Sequence, residues 1–292
     1  MQAFERFTTT QSAVAVNQTA AFKKSDANGN KILAALPDAD LVRLIPHLEQ
    51  VYLPLGMRLR RSGEETANVY FLSSGVASFL QIAIDGEMTE LALTGREGMV
   101  GVEAFLGGNR MPMDTVMLCA GQAYRIQASR LIDAFYVSDS LRDILLRFAQ
   151  SFLTQIEQTA VCNRHHTIEQ RLCRFLLLCL DRQPSNEIVL TQDLISNMLG
   201  VRREGVTEAA RKLRDAGLIT YRRGHINVVD RIGLESHTCE CYAVVKREYD
   251  RLACKSSDRK SAKTKYVEFD ASSAFYRASM LSKKDETLAP KP

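Results

Sequence analysis

Two arginines stand side by side, Arg202 and Arg203, at the start of a helix-like run within the stretch MLGVRREGVTEAARKL, Met198 to Leu213. The N-terminus of a helix already carries partial positive charge, so cations there are misplaced unless something negative lies in front of them. The chemistry open to such a pair is recognition of anions. Both arginines can face phosphates, and Arg203 has the planar fork that bonds guanine O6 and N7 together. Glu204, next along, can accept from cytosine N4. Thr207 and Arg211 further down the helix, Thr191 ahead of it, and Arg222 and Arg223 beyond it complete a candidate polyanion-binding set.

These residues need elements that hold them on one surface. TQDLISNMLG reads as a helix ended by Gly200, and RREGVTEAARKLRDAG as a second helix, about 202–216, stopped by Gly217. LITYRRGHINVVD alternates about an Arg-Arg-Gly turn and reads as a hairpin. Helix, short turn, helix and basic hairpin make a winged helix-turn-helix, in which the second helix enters the DNA major groove by its N-terminal residues. That placement supplies the missing negative charge.

The distribution of charge agrees. Residues 1–163 carry 14 Lys/Arg against 17 Asp/Glu, residues 164–232 carry 12 against 8, residues 233–254 carry 3 against 4, and residues 255–292 carry 9 against 5. Positive charge is therefore concentrated on the segment with the candidate helices and on the C-terminal stretch, the footprint of a polyanion partner. A chain of 292 residues divides naturally into two domains. The apolar run FLLLCL, Phe175–Leu180, is far too short to span a bilayer, and no secretory pattern opens the chain, so no membrane association is expected. Seven scattered cysteines point to free thiols in a reducing compartment, hence to the cytoplasm.

Residues 1–30 lack periodicity and are expected to form a flexible arm. From 31 to 138 the chain reads as a β-rich domain, with Ser-Gly at 74–75 and Asp-Gly at 85–86 as turns between short strands. Residues 139–164 hold no Gly or Pro and predict one long helix. On it Leu141, Leu145, Phe148, Phe152, Gln155 and Thr159 recur at alternating four- and three-residue spacings, a heptad seam that predicts a homodimer interface. A DNA-binding module over 165–232, with a capping box at Thr167 and Gln170, a C-terminal helix over 233–254 and a disordered basic tail over 255–292 complete the expected organisation. The fold class is α+β.

No Gly-rich phosphate loop and no nucleophile–His–acid set can be assembled, so no enzyme activity and no cofactor are expected. CNRHH (Cys162, His165, His166) and CEC (Cys239, Cys241) are neither CxxC nor HxxxH pairs, and no metal site is expected from them. His165 and His166 read instead as a hinge ahead of the Thr167 cap, Cys173 and Cys179 as core, and Cys239/Cys241 as candidates for a redox-sensing pair.

The stretches LTQDLISNMLGVRREGVTEAARKLRDAGLITYRRGHINVV, GEETANVYFLSSGVASF and GREGMVGVEAFLGG resemble the Crp/Fnr family of bacterial transcription regulators, across roughly residues 31–254. The resemblance implies an N-terminal antiparallel β-roll like a cyclic-nucleotide-binding domain, a long dimerisation helix and the C-terminal winged helix-turn-helix. It implies a homodimer on palindromic double-stranded DNA, contact with RNA polymerase, and a signal sensed in the β-roll by a small effector or by none. The family's recognition helix usually opens Ser-Arg-Glu, whereas Arg202 stands in place of the Ser here, and Glu208 stands where many members carry a second Arg. Members that bind cyclic nucleotides use a Gly-Glu pair and, about eleven residues on, Arg-Ser or Arg-Thr. The matching positions here are Gly101 and Glu103, separated by Val102, then Pro112 and Met113, with Arg110 out of register. These make a poor anion pocket and argue against cyclic AMP. The iron–sulfur members' N-terminal cysteines are missing. Two other readings remain open on sequence: a sensor acting through protein contacts with a vestigial helix-turn-helix, and an enzyme regulated by its β-roll.

Overall fold

The computed structural model describes residues 20–183, 185–222 and 224–253. Two short strands, β1 (Ala20–Ala21) and β2 (Glu49–Leu53), flank a 3-10 turn and the helices α1 (Lys31–Ala34) and α2 (Asp38–Leu44). Seven further strands follow: β3 (Arg58–Arg60), β4 (Asn68–Leu72), β5 (Val76–Ile82), β6 (Met88–Thr94), β7 (Met99–Val100), β8 (Asp114–Cys119) and β9 (Gly121–Gln127). They form two sheets, β1-β2-β9-β4-β7 and β3-β8-β5-β6, antiparallel throughout.

Strand β5, VASFLQI, shows why the second sheet reads as unbroken hydrophobicity. Side chains alternate across a strand, and a strand buried on both faces has no polar side. Ala77 and Phe79 join Val69, Phe71 and Met117 in the core between the two sheets. Val76 and Leu80 point the other way, into a second core shared with the C-terminal module.

Residues 20–30 are not a free arm. Phe22 packs edge-on against Tyr124, ring centroids 4.6 Å apart, and the Tyr124 hydroxyl donates to the Asp26 carbonyl at 2.9 Å. Asn30 is fully buried; its amide donates to the carbonyls of Leu72 and Gly98 while its oxygen caps α1. One aromatic anchor and one satisfied cap fix a segment whose composition lacks periodicity.

Helix α3 (Ala128–Val137) leads into α4 (Asp139–His165), 27 residues long and capped by the Ser138 hydroxyl. Then come α5 (Ile168–Leu180), β10 (Glu187–Val189), α6 (Gln192–Leu199), α7 (Arg203–Asp215), β11 (Ile219–Arg222), β12 (His225–Val228), α8 (Arg231–His237) and α9 (Glu240–Ala253). The expected single helix over 233–254 is thus two, broken at Thr238–Cys239. The tail from 255 lies outside the described residues, as do residues 1–19. Among the described residues no helix is long and apolar enough to cross a membrane.

The six seam residues of α4 are corrected by the structure. Leu141, Leu145, Phe148, Phe152, Gln155 and Thr159 are 0–6% exposed within the single chain, which leaves them little surface to offer a partner copy. Phe152 packs edge-on against Phe79 at 4.7 Å. Gln155 donates to the Leu93 carbonyl at 3.0 Å and accepts from Arg182 Nη2 at 2.8 Å. Thr159 accepts from Arg174 Nη2 at 2.9 Å. The polar half of the seam is satisfied by the chain's own arginines.

Candidate nucleic-acid interface

Local sequence builds the α6–α7 pair. Thr191 caps α6 by accepting from the Leu194 amide at 3.2 Å, so its hydroxyl already has a structural role. Gly200 ends the helix with φ +59°, a left-handed conformation that glycine adopts without steric penalty. After a two-residue turn, α7 buries Val206, Ala209, Ala210 and Leu213 and turns Arg203, Glu204, Thr207, Glu208 and Arg211 outward. Those five line one open, shallow depression. Arg202 occupies the N-cap with no side-chain bond to the helix. Replacing a Ser-type cap in this way costs about 1 kcal/mol.

The outward face is tethered loosely. Arg203 Nε lies 3.3 Å from an Asp193 carboxylate oxygen on α6, both side chains well exposed. The Thr207 hydroxyl donates to Gln192 Oε1 at 2.7 Å. Glu208 is held by Lys212 one turn on, at 3.4 Å, which draws some of its negative charge away from an approaching phosphate. Glu204, in the first turn, is the one charge on this tip that suits the helix dipole.

Strands β11 and β12 form the wing, paired from Ile219↔Val228 to Arg222↔His225. Strand β10 adds on the other side of β12, and the Leu190 amide donates to the Gly224 carbonyl at 2.7 Å, which seats the wing's tip beside Thr191. Arg222 is exposed there, and Arg223 lies outside the described residues. The structure therefore brings Arg203, Glu204, Thr207 and Arg211 onto one face, with Arg202 at its leading end, and seats the tip of the wing against Thr191.

The β-roll residues are arranged otherwise. Gly101 has φ +105°, and a Cβ there would meet Val69 Cγ2 at 2.9 Å. It starts the short 3-10 turn that carries Glu103 inward. Glu103 is paired with Arg60 at 3.1 Å and accepts from the Thr66 hydroxyl. Arg110 is on the surface, paired with Glu65, and Met113 is buried in the inter-sheet core. The four do not converge on one opening: the acid and the methionine face inward, and Arg110 faces away.

Each cysteine or histidine pair is a poor ligand set alone, but folding brings Cys162, His166, Cys239 and Cys241 together, their ligating atoms all within 4.8 Å of one another. His165 is exposed and takes no part. The local signal is present in part, since Cys162 and His166 are one helical turn apart, but the second pair lies far along the chain. Cys173 and Cys179 are buried in the core of the C-terminal module.

Comparison with known proteins adds two family models. A cyclic nucleotide-binding domain matches residues 50–135, and a Crp-like helix-turn-helix domain matches residues 170–237. No curated protein matches the chain significantly. Similar solved structures include FixK2 from Bradyrhizobium japonicum, with 17% identity, TM-score 0.58, and coverage of 66% of this chain and 98% of that one. A protein from Eubacterium rectale ATCC 33656, assigned to the crp/fnr family of transcriptional regulators, has 17% identity and TM-score 0.57, with 72% and 98% covered. A CRP-family transcriptional regulator from Thermus thermophilus, TTHB099, has 17% identity and TM-score 0.54, with 64% and 95% covered.

Proposed function

As a Crp/Fnr-like transcriptional regulator, the chain joins a cyclic-nucleotide-binding-like sensor domain to a helix-turn-helix that binds DNA, and we propose that α7 reads the major groove through Arg203 and Glu204. Arg202 and Arg211 meet phosphates at either end of this contact, Thr191 and Thr207 lie at its edge, and Arg222 and Arg223 of the wing touch the backbone beside it. The observation that carries this reading is the outward face of α7, where two arginines stand exposed at the leading end of the helix. The similar structures from Eubacterium rectale and Thermus thermophilus are of transcriptional regulators, and this reading gives the chain no enzyme activity.

Regulators of this family are dimeric, and the face of α4 left uncovered is the one we assign to the partner copy. Leu146, Gln150, Leu153, Glu157, Ala160 and Arg164 are all exposed and recur at four- and three-residue spacings, with Leu146 45% and Leu153 52% exposed. Two such helices side by side would set the recognition helices about one turn of DNA apart. Cyclic AMP is not the effector in this reading, because Glu103 near Gly101 is already paired with buried Arg60, and Arg110 is paired with Glu65 on the surface. The protein acts in the cytoplasm and meets RNA polymerase there.

The test is selection of bound sequences from a random DNA pool by the full-length dimer, with and without cyclic AMP. A palindromic consensus, the same in both arms, is the expected result. Recovery of random DNA in both arms, and again in cell extract, overturns the assignment of α7.

A further inference from the structure

We propose that Cys162, His166, Cys239 and Cys241 form a tetrahedral zinc site that fastens the end of α4 to the start of α9. Cys162 lies in the last turn of α4, and His166, four residues on, is the extended C-cap residue that follows it. Cys239 immediately precedes α9 and Cys241 lies in its first turn. Packing of α9 along α4 closes the two pairs on each other.

The distances are those of one ion. Cys162 Sγ and Cys239 Sγ are 3.5 Å apart, and Cys241 Sγ is 3.6 Å from His166 Nδ1. Zinc bonds of about 2.3 Å to sulfur and about 2.0 Å to nitrogen at tetrahedral angles place ligand atoms roughly 3.5–3.8 Å apart. An iron–sulfur cluster spreads its ligands across several metal and sulfide atoms and needs a wider cage. A disulfide would join only two of the three sulfurs and leave a thiol and an imidazole unexplained.

The surroundings are built for an ion rather than for packing. Cys162, Cys239 and Cys241, 0–3% exposed, form a cluster separate from both hydrophobic cores. Cysteine used as a small hydrophobe sits inside a core, as Cys173 and Cys179 do. The other ring nitrogen of His166, Nε2, is 3.2 Å from a Glu240 carboxylate oxygen. That contact holds the proton on Nε2 and leaves the Nδ1 lone pair aimed at the sulfurs, the outer-shell arrangement of metal-ligating histidines.

Charge also balances. A divalent ion with three thiolates and a neutral imidazole carries a net charge of about −1, which is costly to bury without a partner. Helix α5 supplies two buried cations, Arg171 and Arg174, whose charges act on Cys162. The Nε atoms of both lack a hydrogen-bond partner among the described residues. Binding would displace the three thiol protons to solvent, with no change of oxidation state.

The ion would bridge the segment His165–Thr167 that links the long helix to the DNA-binding module, so its loss would loosen that joint. The experiment uses full-length protein purified under reducing conditions without chelator. Elemental analysis is expected to find about one zinc per chain, and Co2+ in its place to give the thiolate charge-transfer and strong red ligand-field bands of a tetrahedral sulfur site. Cys241→Ser should lose both signals, whereas Cys173→Ser, outside the cluster, keeps them. Should Cys241→Ser fail to fold, stripped wild-type protein is titrated with zinc, and its Tm should rise until about one equivalent and then level off. Absence of metal and of the cobalt bands in folded wild-type protein overturns the proposal. So does a bound iron chromophore with acid-labile sulfide, or a flat Tm through the zinc titration.

Discussion

The recognition helix and the β-roll each contain an arginine and a glutamate that could contact a nucleotide, yet they hold them in opposite states. Arg203 and Glu204 stand at the leading end of α7 on an exposed face, and the nearest charge to Arg203 is the equally exposed Asp193. Arg60 and Glu103 are 6% and 2% exposed and 3.1 Å apart. An exposed ion pair is worth little and yields readily to a better partner, whereas a buried one is lost only at high cost. Residue types alone therefore do not make a binding site. The charges of α7 are available to a ligand, and those beside Gly101 serve the fold.

The same contrast runs along α4, and the largest expected effect lies there. Leu153→Asp on the uncovered face should leave the chain folded but shift it to monomers, whose affinity for a palindromic site falls by about 10²–10⁴ because two modules no longer bind as one. Sedimentation and DNA titration check this. A dimer that survives the substitution would show that the copies meet elsewhere.

Removing one partner from each Arg–Glu pair tests the comparison directly. Glu103→Ala leaves the Arg60 guanidinium buried without its carboxylate and should cost about 3–5 kcal/mol. Glu204→Ala, at the surface, should stay within about 0.5 kcal/mol. Chemical denaturation of the two variants side by side reads the difference, and equal midpoints would dissolve the contrast.

Function should respond in the reverse order. Arg203→Ala is expected to leave stability alone and to relax discrimination at one base pair by about 1–3 kcal/mol. Arg222→Ala should instead weaken all sequences alike and reduce the salt dependence by roughly one charge. Competition over a randomised site separates these outcomes; unchanged base preference in the Arg203 variant removes it from the reading role.

How far the sequence reveals all this depends on whether a signal is local. The capping Thr167, the helix-ending Gly200 and the alternating wing each act within a few residues, and each is in place. Exposure of α7 follows from its amphipathic spacing. Heptad spacing on α4 is a weaker guide. It tells which residues share a face but not what covers that face, and two stripes, through Leu145 and through Leu153, both fit it. The burial of Glu103 depends on Arg60 and Thr66, residues from other strands and loops. The Cys/His quartet joins two pairs of unremarkable spacing, with Cys162 and Cys239 separated by 77 residues, so only the packing of α9 on α4 reveals it.

The smallest effect tests a third carboxylate, which is buried without a close ion pair. Glu90, on β6, accepts from the Ser78 hydroxyl at 3.1 Å. Burial pushes its carboxyl up to about 8, against the pull of Arg174, the Ser78 bond and Arg182. A carboxyl raised in this way holds its proton in the folded chain and releases it on unfolding at neutral pH. Stability from this group is therefore complete below the ordinary carboxylate range and declines as pH rises toward 8. The loss between pH 7 and 8 is about 1 kcal/mol for a shift of this size. Glu90→Gln keeps the shape without the proton, so its Tm should lose that part of the slope while the parent declines. If instead both decline in parallel, Glu90 is ionised in the fold and the arginines across from it have won, placing it with Glu103 as a charge held inward by its neighbours.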